Sequence, residues 1–143
     1  MIEVKTNAPV GETPRKVKYS KVLLIDDNTL DNFVNKKLLE INNFAGKIEA
    51  HESAQAALDF LKKEKPENLP DIILLDIMMP GMDGFQFLDA FESLDETIHK
   101  KCKIIMLSTS DSFKDLNRAN KNRFVYKFLN KPLNDQVLGA INI

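Results

Sequence analysis

The sequence predicts an α/β domain built on one parallel sheet, and three observations predict it. Residues 22–25 (VLLI), 72–75 (IILL) and 104–107 (IIML) are short continuous apolar runs, the pattern of strands buried on both faces. The segments after them carry apolar residues at helical spacing and open with capping residues. The two patterns alternate along the whole chain, as consecutive strand–helix units require.

Each element follows in order. Residues 1–18 contain Pro9, Gly11 and Pro14 without a sustained apolar period, and read as a flexible lead-in to a domain over 19–143. The first strand, around 22–25, ends in Asp26-Asp27. The helix after it opens at Asn28 or Thr29 and sets Leu30, Phe33, Val34, Leu38 and Ile41 at helical spacing. Residues 47–52 form a short second strand, and 53–64 a helix whose Ala54, Ala57, Leu58 and Leu61 share one face. The third strand, 71–76, ends on Asp76. A Pro80-Gly81 turn then leads into a helix over 84–94 with Phe85, Leu88, Phe91 and Leu94 facing inward. The fourth strand spans 103–108. A weaker helix over 111–121 opens at Asp111 or Ser112, the fifth strand covers 123–130, and a short helix containing Gly139 closes the chain.

The bulk numbers narrow the function. The 143 residues suffice for one domain with one sizeable core. A formal net charge of -1 provides no general attraction for nucleic acid or an anionic membrane. Apolar runs of four residues fall far short of a membrane span, and Glu3 and Lys5 interrupt any secretory signal. The single cysteine, Cys102, excludes an internal disulfide and fits a reducing compartment, so the expected location is the cytoplasm.

Ligands of such sheets bind at the carboxyl ends of the strands. Here those ends carry Asp26-Asp27, Asp76, Ser108-Thr109 and Lys131-Pro132. Taken singly, each has a plain structural reading: a turn or cap, a loop start, a polar strand end, a helix start. Their joint placement, each at the end of a different strand, points to a site. Crowded carboxylates raise one another's pKa unless a cation sits among them, and all-oxygen ligands suit Mg²⁺ or Mn²⁺ rather than zinc. A carboxylate can also act as nucleophile and form an aspartyl phosphate, with a lysine and a metal neutralising the transferred group. His51 and His99 lack supporting partners at ligand or phosphohistidine spacing.

The motifs LLIDDN, LLDIMMPGMDG, IIMLSTS and FLNKPL, in this order, resemble those of the receiver domain of two-component response regulators. The resemblance covers residues 20–143 and implies a doubly wound, flavodoxin-like fold with strand order 2-1-3-4-5. It implies that Asp76 is the phospho-acceptor, that Asp26, Asp27, Asp76 and the Met78 backbone carbonyl hold Mg²⁺, and that Ser108 and Lys131 contact the phosphoryl group. Ser108 and Phe128 are the implied switch pair. A histidine kinase or histidine phosphotransfer protein is the implied donor and a downstream protein the target, with no nucleic acid or membrane partner. Because the chain ends about where a receiver ends, a stand-alone signalling switch or relay intermediate is expected. A phosphatase of the haloacid-dehalogenase type would need a second aspartate two residues after the nucleophile, and Met78 stands there. Phe128 departs from the more usual tyrosine by lacking a hydroxyl.

Overall fold

A computed structural model describes residues 16–109 and 112–143. All but residues 16–18 of the expected lead-in, and the cap candidate Asp111, lie outside the described residues.

The elements run β1 (Tyr19–Ile25), α1 (Thr29–Ile41), β2 (Ala45–His51), α2 (Ala54–Lys63), β3 (Ile72–Asp76), α3 (Gly84–Phe91), α4 (Glu96–Lys101), β4 (Lys103–Ser108), α5 (Phe113–Asn120), β5 (Val125–Asn130) and α6 (Asp135–Gly139). A single 3-10 turn, Pro66–Asn68, precedes β3. The strands form one parallel sheet in the order β2-β1-β3-β4-β5, the doubly wound arrangement that the sequence predicts.

Strand alternation divides the core in two. Leu23, Ile25, Ile73, Leu75, Ile104 and Met106 point to the face covered by α2, α3, α4 and α5. Val22, Leu24, Ile72, Leu74, Ile105 and Leu107 point to the other face, under α1 and α6. This two-sided burial is why the central strands read as unbroken apolar runs. Among the described residues no helix is long and apolar enough to cross a membrane.

The caps follow local chemistry. Asn28, Ser53, Ser112 and Asn134 each accept a backbone N–H from the first turn of α1, α2, α5 and α6. Asp83 and Gln86 close a reciprocal capping box on α3.

Two features depart from expectation. The segment after Phe91 does not continue one helix to residue 94: it turns and restarts as α4, with Asp95 as cap and His99, Lys100 and Lys101 in the last turn. That charge order suits the helix dipole, and the Asp95 cap was the legible signal. His99 ties α4 back, its ring nitrogen 2.7 Å from the Phe91 carbonyl oxygen and its ring against Phe91 and Phe124.

The second departure is α1. Its apolar stripe marks the helix but not its buried face. Leu30, Phe33, Val34 and Ile41 are exposed, while Asn32, Asn35 and Leu39 are buried. The physical reason is a polar contact: Asn32 Nδ2 donates to the Asp26 backbone oxygen at 2.9 Å, turning the amide face inward.

Candidate functional site

The site is assembled at the carboxyl rim of β1, β3, β4 and β5. Asp26 directly follows β1 and is 4% exposed. Its Oδ1 accepts the Asn28 N–H at 2.9 Å, which fixes the carboxylate in the turn that starts α1. Asp27 is exposed beside it, and Asp76 closes β3 in a buried position. Among the described residues Asp26, Asp27 and Asp76 form a group in which one carboxylate oxygen from each lies within 4.8 Å of the others.

One cation among the described residues enters this group. The Lys131 ammonium donates to Asp26 Oδ2 at 2.6 Å and to Asp31 Oδ2 at 3.0 Å, and stands 3.4 Å from Asp76 Oδ1. Lys131 reaches that point because its backbone N–H continues the sheet by donating to the Ser108 carbonyl at 2.8 Å. Burial works against the ammonium, but the bonds to Asp26 and Asp31 outweigh it and hold its pKa above the ordinary lysine range. Asp76 moves the other way for an acid. Burial, then the neighbouring Asp26 charge, push its pKa up to about 6, with Lys131 only partly offsetting them.

Ser108 is fully buried at the end of β4, one residue beyond Leu107, the register partner of Asp76. Phe128 lies opposite Met106 in β5 and packs half-buried against the α2–α5 core rather than among the acids. Met78 is 65% exposed on the loop after β3, whereas Met79 is buried. The loop itself is held by backbone bonds, Ile77 N–H to the Leu107 oxygen and Gly84 N–H to the Ile77 oxygen. Gly84 has no alternative, since a Cβ there would stand 2.8 Å from the Asp76 carbonyl oxygen and 2.9 Å from Ile77 Cα.

Asp31 and Asn32 are site residues that sequence reasoning missed. Asp31 reads in sequence as a first-turn acid favourable to the helix dipole, and only the fold shows it reaching Lys131. Beside this pair a groove of about 310 Å³ opens between α1 and the end of β5, lined by Leu30, Asp31, Val34, Thr109, Lys131 and Pro132 among others.

The donor set fits a hard divalent cation. Three carboxylates crowd one point, their ligands are all oxygen, and burial together with the neighbouring Asp26 charge disfavours the ionised Asp76, a cost that a cation would relieve. Cys102 and both histidines lie outside the group.

Known proteins agree with this geometry. The family model for the response regulator receiver domain matches residues 22–141. The probable methanogenesis regulatory protein FilR2 of Methanothrix harundinacea is 32% identical over 114 residues, covering 78% of this chain and 72% of that protein. The chemotaxis protein CheY of Bacillus subtilis is 32% identical over 125 residues, covering 85% of this chain and 94% of CheY. By contrast, the chain spans only half (50%) of the rice two-component response regulator ORR1, at 33% identity over 118 residues and 80% of this chain. A crystal structure of a two-component response regulator from Cytophaga hutchinsonii superposes with a TM-score of 0.80 at 30% identity, covering 85% of this chain and 92% of that one. The sheet order, the acidic rim and these likenesses lead to one conclusion: the chain belongs to the response regulator receiver domain family, the signalling switches of two-component systems.

Proposed function

We propose that Asp76 accepts a phosphoryl group from a histidine kinase or a histidine phosphotransfer protein in the cytoplasm, and that the acyl phosphate switches a partner-binding surface. The observation that carries this reading is the Asp76 carboxylate itself: buried at a strand end, crowded by Asp26 and Asp27, and faced by one lysine at 3.4 Å. An Asp76 carboxylate oxygen attacks phosphorus. The new O–P bond forms as the bond to the leaving group breaks, and the electron pair leaves with the donor imidazole, or with acetate when acetyl phosphate is the donor. Water later cleaves the acyl phosphate, returning the carboxylate and inorganic phosphate.

Asp26, Asp27, Asp76 and the Met78 backbone carbonyl would hold Mg²⁺, which when bound neutralises charge on the transferred oxygens. Lys131 supplies the second positive charge and Ser108 a hydroxyl at the same rim. Ser108 moving toward the phosphoryl group would free space for Phe128 to follow, shifting a two-state equilibrium over α5, β5 and α6. The test is labelling with acetyl phosphate and Mg²⁺. Acid-labile phosphate should appear in the wild type and vanish in Asp76→Asn; undiminished labelling of that variant would sink the assignment. Beryllofluoride with Mg²⁺ should change amide exchange in α5, β5 and α6, and changes confined to α1 and α2 would contradict the switch.

The exposed face of α1 supports the donor's place. Leu30, Phe33, Val34 and Ile41 are large, apolar and exposed, and Leu30 and Val34 line the groove that ends at Lys131. A protein bringing a phosphohistidine to Asp76 along this groove would meet Leu30 and Val34, so this end of the face is assigned to the donor.

A further inference from the structure

The resting arrangement of Lys131 raises a question that the phosphorylation reading does not answer. An ammonium has three donors. In this structure two of them go to Asp26 at 2.6 Å and Asp31 at 3.0 Å, while the acceptor Asp76 stands further off at 3.4 Å. The lysine is therefore engaged chiefly by residues other than the one that would carry the phosphoryl group.

The two holders are not equivalent. Asp26 is 4% exposed and is itself fixed by the Asn28 N–H on Oδ1, so in the metal-free resting state an unpaired Asp26 would be a buried, uncompensated charge. Asp31 belongs to the first turn of α1, where its own N–H is anchored on Asn28 Oδ1 at 3.0 Å, and its side chain is 42% exposed along the groove. If Lys131 leaves it, water can solvate the Asp31 carboxylate at little cost. A phosphoryl group on Asp76 brings strong acceptor oxygens into the same space and competes for the same ammonium.

We propose that Asp31 is a positioning residue, a release anchor that holds Lys131 in the resting state and must give it up when Asp76 is phosphorylated. It thereby sets how readily the phosphorylated state forms. This rests on the phosphorylation reading above and deepens it. Asp31 opposes occupancy of the site by an anion because its bond draws the Lys131 ammonium away from the oxygens that an anion on Asp76 would present.

The test uses beryllofluoride with Mg²⁺ as the probe on the full chain, read by titration, together with the initial rate of labelling by acetyl phosphate. Asp31→Asn should bind the probe about fivefold more tightly and label faster, while Asp31→Glu, which keeps the charge and can still reach Lys131, should restore values near the wild type. Glu52→Gln serves as a charge control. Glu52 accepts from Thr29 Oγ1 at 2.9 Å near the start of the same helix, so this change removes one negative charge without touching Lys131. Its affinity should stay within twofold of wild type. Unchanged or weaker binding in Asp31→Asn overturns the proposal, as does an equal gain in Glu52→Gln, which would reduce the effect to bare charge. A wild type that neither binds the probe nor accepts label refutes the phosphorylation reading itself and this proposal with it.

Discussion

Strand β3 is bracketed by two aspartates, and they live opposite lives. Asp71, just ahead of the strand, is saturated: its Oδ2 accepts the backbone N–H groups of Ser20 and Lys21 at 2.9 and 3.2 Å, and Oδ1 pairs with Lys101. Burial alone would raise its pKa, yet Lys101 and those two amides outweigh burial and hold it below the ordinary carboxylate value. Asp76, at the other end, has acidic neighbours and one shared lysine, and its pKa rises to about 6. The same residue type on the same strand is thus a structural clasp where donors converge and a poised group where they are withheld. What separates the two is deeper burial and acidic neighbours at Asp76, against donors aimed at both oxygens of Asp71.

Removing each carboxylate should break the comparison with opposite signs. Asp71→Ala leaves two backbone amides and Lys101 without their acceptor and should destabilise the fold by about 2–3 kcal/mol. Urea unfolding measures it, and a loss under about 0.5 kcal/mol would mean the clasp is idle. Asp76→Asn removes crowded charge and should stabilise the metal-free protein at pH 7 by about 1–2 kcal/mol, after allowance for screening on the open side of the site.

The pH dependence sharpens the same contrast. Between the ordinary value of 3.8 and about 6, native Asp76 still holds a proton that the unfolded chain has released. The native state binds more protons there, so the Asp76 contribution to stability declines as pH rises through that window. Asp71, with its native pKa lowered, contributes stability above 3.8 that is lost as pH falls below it. Subtracting the metal-free stability curve of Asp76→Asn from that of wild type should isolate the first slope, and parallel curves between pH 4 and 6 would contradict it.

The smallest effect on stability should come from α1. Phe33 is 58% exposed, so Phe33→Ser should change unfolding free energy by less than about 0.5 kcal/mol. It should nevertheless slow phosphoryl transfer from a protein donor while leaving labelling by acetyl phosphate unchanged. Equal rates with both donors would remove that face from the docking surface.

The comparison also shows what could be read from the chain. The strand ends were legible because an apolar run that stops on Asp26, Asp76 or Ser108 leaves polar groups where the topology gathers them. Phe85, Leu88 and Phe91 were legible as core because their helical spacing sets them on one side of α3 and that side is the buried one. The inward face of α1 was not. Periodicity says that Leu30, Phe33, Val34 and Ile41 share a side, but whether that side meets the sheet depends on Asn32 finding the Asp26 carbonyl, a contact between elements. Asp31 escaped for a similar reason, since its partner lies 100 residues away. The role of Asp71 was equally hidden: in sequence it is merely the residue that starts a strand.

Gly84 carries a consequence for how such a chain can diverge. The main chain of α3 leans on the main chain around Asp76, with no side chain between them. The position of Asp76 against α3 is therefore set chiefly by main-chain contact, with the Met106 methyl beside it. Met78, Pro80 and Met82 on the intervening loop can drift without relocating the chemistry, whereas one methyl group added at position 84 presses on backbone that has nowhere to yield. Two positions lack that freedom: Gly84 for want of space, and Gly81 because its φ of +79° disfavours any side chain.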